Sequence, residues 1–268
     1  MRAWLKPYFT AFRLRALLET QYRGAALGGI VTQMAFGLAL IFLYQALYRS
    51  GGDTSAPFSQ IVTYVWLQQA FFRVLFTSDS ALNEAILSGA VAYELCRPVD
   101  TYFCWFLRSL AQKTVGGVMR AVPLFLFAAL LPSPISIAPP SGTGALMLAL
   151  SSLAIGLLCI SAIGSIQSAV TMRTLDPRGI ANVIQMLIFF LSGNLIPLTL
   201  FPESWQAFVR YQPFSQALDL PIRLYTGSVP MEDILPSLLI QLLWLAALIG
   251  LGKSLWRRNL RRITIQGG

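Results

Sequence analysis

The chain has 268 residues, 56% of them hydrophobic and only 12% charged, with a mean hydropathy of +0.64. Soluble domains carry about 25% charged residues, and apolar runs of bilayer-spanning length recur here, so a soluble multidomain protein is excluded in favour of a polytopic membrane chain. The net charge of +9 sits at the ends of those runs rather than on one face, which points to membrane topology and not to nucleic acid.

The opening "MRAWLKPYFTAFRLRALLETQYR" holds five Lys/Arg and lacks the apolar core of a signal peptide. Trp4, Tyr8 and Phe12 recur at i, i+4, i+8 beside Leu5, Phe9 and Ala16. This spacing predicts a helix over 1–23 lying in the membrane interface, aromatic side down. The first span is 24–47, about 36 Å long as a helix and enough to cross. "RSGGDTSAPF" breaks the chain. Further spans are expected at 58–77, 112–131, 143–170, 180–198 and 234–255, giving six.

An even number of spans puts both termini on one side. Seventeen of the 20 Lys and Arg then share that side, leaving only Arg49, Arg210 and Arg223 opposite. By the positive-inside rule both ends are cytoplasmic.

Residues 79–100 fall on the cytoplasmic side and are unusually polar. "DSALNEAILSG" reads as a short helix that Asp79 or Ser80 caps and Gly89 ends. Leu82, Ala85, Ile86 and Gly89 share one apolar side, with Asn83 and Glu84 on another. "AYELCRPVD" leads back to the membrane. So short a helix needs a cover, which is either a partner protein or the chain's own inner surface.

This order of interfacial helix, two spans, cytoplasmic helix and four more spans resembles the permease of a type-2 ATP-binding-cassette (ABC) exporter. The stretch "FLSGNLIPLTLFPESWQAFVRYQPFSQALDLPIRLYTG", 190–227, carries the strongest likeness, while "VAYELCRPVD" and the closing "IQGG" are similar to one bacterial subgroup. The resemblance implies an all-α membrane fold in a bacterial inner membrane, with short helices over 199–230 dipping into the outer leaflet. It also implies that 79–100 couples to a separate ATPase, through Asp79, Leu82, Asn83, Glu84, Ala85, Ile86, Gly89, Tyr93, Glu94, Arg97 and Pro98. The apolar side of 82–89 would be the docking core, with Glu94, Arg97 and Asp100 as rim charges. The chain has no G-x-x-x-x-G-K-[ST] phosphate loop, so ATP and Mg belong on the ATPase, two copies of which would serve a pair of permeases, identical or sister chains, in membrane lipid.

In the outer loop, Asp219 and Arg223 are spaced i, i+4 and can pair, worth only ~0.3–0.5 kcal/mol if exposed. Arg120 falls near mid-depth if the third span begins near Gln112. Such a charge costs ~2.5–3.5 kcal/mol, so Arg120 either faces the bundle interior or the span shifts outward through "PSPISIA". Gly24 and Gly28 have the G-x-x-x-G spacing of close helix contacts and are candidates for a dimer face. Gln33, Arg120, Asn182, Gln185 and Asn194 are candidates for the translocation path, although each amide also suits ordinary interhelical hydrogen bonding. Two alternatives fare worse. An ion-coupled carrier wants acidic residues inside its spans, where none is expected, and an intramembrane enzyme lacks the commonest base because the chain has no His. Cys96, Cys104 and Cys159 form no C-x-x-C pair and read as small buried residues, not metal ligands.

Overall fold

The computed structural model describes residues 5–50, 57–194, 198 and 201–261. Arg2, Trp4, Asp53, the 195–197 end of the fifth expected span and the closing "IQGG" therefore lie outside the described residues. Within them the chain is an all-α integral membrane protein. Its helices are α1 (Lys6–Gln21), α2 (Arg23–Arg49), α3 (Phe58–Phe71), α4 (Ser80–Leu87), α5 (Val91–Leu95) and α6 (Thr101–Leu130). Then follow α7 (Thr143–Thr174), α8 (Pro177–Leu191), α9 (Glu203–Tyr211), α10 (Pro213–Thr226) and α11 (Met231–Leu260).

Four helices, α2, α6, α7 and α11, are long and apolar enough to cross a bilayer. The second and fifth expected spans, α3 and α8, have 14 and 15 residues. At 1.5 Å per residue they reach only about 21–23 Å, short of a hydrocarbon core of about 30 Å. Helix α3 stops at Phe71 instead of 77 because Phe72–Leu75 tighten into a 3-10 turn. α3 is deeply enclosed, with every residue from Ile61 to Ala70 buried.

The helix that holds the third expected span, 112–131, starts earlier, at Thr101. Pro98 ends what precedes, and Asp100 caps the new helix by accepting from the Phe103 N–H at 3.4 Å. Nor does it shift outward through "PSPISIA". That segment folds back onto α3 and α6, where the Trp66 indole donates to the Ile135 carbonyl at 2.8 Å and the Ala138 N–H donates to Thr63 Oγ1 at 3.0 Å.

Helices α2, α3 and α6 close one apolar core around Ile41, Val62, Trp66 and Leu124. Helices α7, α10 and α11 form the other large assembly, and small residues bring them close. Gly156 of α7 lies against the Ala217 backbone of α10, and a Cβ at Gly164 would sit 2.7 Å from the Thr77 carbonyl oxygen. Gln241 of α11 binds three ways, donating to the carbonyls of Ser152 (2.9 Å) and Gln216 (2.6 Å) and accepting from Ser152 Oγ at 3.0 Å.

The aromatic stripe of α1 is placed differently from the expectation. Tyr8, Ala11, Phe12 and Arg15 face α6, and Tyr8 Oη accepts from the Asp100 N–H at 2.8 Å. A second apolar set, Phe9, Leu14, Leu17 and Leu18, is left exposed on the outside of the helix. The heptad-like spacing holds both sets, and packing against α6 selects the one that carries Ala11.

Candidate functional site

Helix α4 begins and ends where local chemistry directs. The Asp79 carboxylate accepts from the N–H groups of Ala81 (3.1 Å) and Leu82 (3.3 Å), and Gly89 adopts φ +74°, open to glycine at little cost. The apolar side is not free for a partner, however. Leu82 and Ile86 are 4% and 7% exposed, packed with Val91, Tyr102, Trp105, Ala169, Met172 and Trp256. The docking core expected on Leu82, Ala85 and Ile86 is thus the seat of α4 on its own protein. Asn83, expected on a polar side, is buried too and donates to Ser78 Oγ at 3.1 Å.

What faces outward is the opposite edge. Glu84 and Leu87 of α4 are exposed, as are Ser88, Gly89, Tyr93, Leu95, Arg97 and Pro98 beyond it. Leu87 is 51% and Tyr93 80% exposed, large values for such side chains at the end of a packed bundle. Two of the three expected rim charges are engaged within the chain. Glu94 pairs with Arg108 at 3.1 Å, and Asp100 pairs with Lys253 at 3.3 Å besides capping α6. Between α4 and the start of α8 runs a groove bordered by Leu87, Ser88, Arg178, Asn182 and Gln185.

Beneath α4 lies a charged layer that periodicity along the chain does not reveal. Arg15 of α1 reaches Glu19 at 3.3 Å and the capping Asp79 at 4.0 Å. Lys113 of α6, counted in the sequence only as one more inner charge, is 2% exposed and donates to Ser109 Oγ at 2.7 Å. Thr77 donates to Gln167 of α7 at 2.6 Å. The i, i+4 spacing of Ser109 and Lys113 was the available signal.

The candidate path residues do not converge. Asn182 and Gln185 border the α4–α8 groove, with Gln185 donating to the Leu75 carbonyl at 3.4 Å. Arg120 lines a separate cavity between α1 and α6, its guanidinium carbon 2.8 Å from where a Cβ on Gly29 would stand. Gln33 is 4% exposed with neither amide atom bonded, and Asn194 Nδ2 is likewise buried and unbonded. Gly24 and Gly28 have open space around them, whereas Gly29 and Gly37 take the close contacts, the latter against the Trp66 ring at 2.8 Å.

Asp219 and Arg223 do pair, yet not on a surface. Their side chains are 0% and 10% exposed, 2.6 Å apart, and Tyr64 of α3 donates to the other Asp219 oxygen at 2.8 Å. Asp219 lies on α10, outside every expected span, yet it is buried and held by a guanidinium and a phenol.

Membrane-length helices around a short buried one, with a capped amphipathic helix beside them, are the build of a polytopic membrane protein. The chain belongs to the ABC-2 transporter family, since residues 30–267 match the description "ABC-2 family transporter protein". No curated protein matches it. It is accordingly a multi-pass membrane protein and a permease component of an ABC transporter, a family whose members generally leave catalysis to an ABC ATPase partner.

Proposed function

We propose that this permease works in an ATP-driven exporter, carrying a hydrophobic or amphipathic molecule out of the cytoplasm or the inner leaflet of a bacterial cell membrane. It pairs with an identical or sister permease and with two ATPase subunits, which hold ATP and Mg. The observation that carries the reading is the α4–α5 hook, locked to the body by Leu82 and Ile86 while Leu87, Tyr93 and Leu95 stand exposed. The test is to purify the permease with a co-expressed ABC ATPase, reconstitute both in vesicles and measure ATP-dependent substrate movement. A permease that never retains an ATPase would overturn the proposal.

The orientation of the hook has its own reporter. Cys96 is exposed, while Cys104 and Cys159 are buried. With both termini inside, a membrane-impermeant maleimide should leave Cys96 unlabelled in intact cells and label it once they are opened. A Cys96→Ser chain carrying Asp53→Cys should label from outside, and one carrying Asp176→Cys should not. The reverse pattern would refute the topology.

The open space at Gly24 and Gly28 bears on assembly. A Cβ at either position meets nothing within 4 Å, so replacing both with Leu should keep the fold. If this face of α2 meets a second permease, subunit association should weaken, because close helix approach is blocked. Gly37→Leu, by contrast, strikes Trp66 and should destabilise the protomer itself. Unaltered assembly of the Gly24/Gly28 variant in detergent would move the interface to another helix.

A further inference from the structure

We infer that the cavity between α1, the start of α2 and α6 is a binding site for the anionic headgroup of an amphiphile, a phosphate or carboxylate carried on an acyl-type tail. The cavity is about 490 Å³, and Arg15, Arg73 and Arg120 reach it from three different elements. Glu19 and Glu84 line it as well. Among the described residues neither carboxylate forms a close ion pair with Arg73 or Arg120, and Glu19 acts on Arg120 only through space. Glu19 pairs with Arg15, which also faces Asp79, and among the described residues neither Arg73 nor Arg120 makes an ion pair or a side-chain hydrogen bond.

Glycines let these two cations in. A Cβ at Gly116 would meet Arg73 Nε at 3.9 Å and Glu19 Oε2 at 3.5 Å, and Gly29 makes room for the Arg120 guanidinium. Gly116 and Arg120 are one helical turn apart on α6, so both guanidiniums serve one wall. Partly buried guanidiniums that no carboxylate of the chain contacts directly favour an oxyanion that accepts their forked N–H groups.

Ser80 and Gln112 add polar groups to the lining, and one side of it is apolar. Leu18, Tyr22, Ala26 and Met119 border the same cavity, and Leu18 and Tyr22 are exposed where α1 turns into α2. A charged recess with an apolar rim, at the foot of a membrane-length helix and beneath an interfacial one, suits a headgroup whose tail leaves sideways into the bilayer. The basic end of α11 is a weaker candidate. Arg257 and Arg258 are exposed on a single helix, and Lys253 is already paired with Asp100. As a statement about cargo this proposal rests on the export reading; as a binding site it does not.

The experiment uses the full chain purified in neutral detergent without ATPase, so binding is read apart from transport. Dioctanoyl phosphatidylglycerol, dioctanoyl phosphatidylcholine and inorganic phosphate are titrated separately and followed by native mass spectrometry. The anionic lipid should bind at least tenfold more tightly than the zwitterionic one, and Arg73→Gln with Arg120→Gln should remove that preference. Arg257→Gln with Arg258→Gln should keep it. Because the first variant can fail to fold, a photoactivatable phosphatidylglycerol is also crosslinked to the unaltered chain. Adducts should map to peptides covering 15–26 and 112–120. Adducts confined to the end of α11, a preference that survives in the folded Arg73/Arg120 variant, or inorganic phosphate binding as tightly as the lipid would each overturn the proposal.

Discussion

Replacing Leu87 and Tyr93 with Asp is expected to strip the permease of its ATPase while leaving it folded. Both side chains project from the hook and pack on nothing within the chain that hides them, being 51% and 80% exposed. Burying each against a partner would contribute ~1.5–3 kcal/mol. Losing both should weaken docking by roughly 10²- to 10⁴-fold. Changes at Leu82 and Ile86 should behave in the opposite way. A carboxylate at either position would be buried beside Tyr102, Trp105 and Met172, a placement that costs several kcal/mol and unfolds marginal proteins. The measurement is ATPase retention on a permease column, paired with thermal unfolding of the permease alone. Full ATPase retention by Leu87→Asp with Tyr93→Asp, or a well-folded Leu82→Asp with Ile86→Asp that has lost its ATPase, would return docking to the inner side of α4.

Asp219→Ala should be the most damaging single substitution at the other end of the bundle. It leaves the Arg223 guanidinium buried without its partner and removes the acceptor of the Tyr64 hydroxyl. Breaking a buried pair in this way typically costs about 3–5 kcal/mol. Removing both charges together is far gentler, because no uncompensated ion remains. Asp219→Leu with Arg223→Met should therefore recover most of the lost stability. Unfolding of the purified variants in detergent checks the order. If Asp219→Ala melts with the unaltered protein, the pair is not held in a desolvated site.

Signals that act over a few residues were legible in the sequence. Asp79 before the α4 turn, Gly89 after it, and the i, i+4 relation of Asp219 and Arg223 all read correctly. What covers a helix was not. Periodicity tells that Leu82 and Ile86 share a side, but the cover comes from Met172 and Trp256, far along the chain. Likewise the burial of Asp219 depends on Tyr64, 155 residues earlier. The start of α6 was missed for a different reason. Counting back a bilayer's thickness from Pro132 assumes a helix that ends with the membrane, whereas the cap at Asp100 lets α6 run on past it. Short α3 and α8 defeat the same count in the other direction. The unpaired Arg73 and Arg120 were visible as charges, but their meeting required the glycines of two other turns to be brought alongside.

The 32 residues of α7 run without a break from Thr143 to Thr174, about 48 Å at the ordinary helical rise. Near one end the helix carries α4 on Ala169 and Met172; toward the other it is pinned to α10 at Gly156 and to α11 through Ser152. It is a strut. Were the hook pushed, α7 would offer no joint along its length to absorb the displacement before it reached α10. Slack is left to the short α8, whose Val183, Met186 and Phe190 touch little of the body.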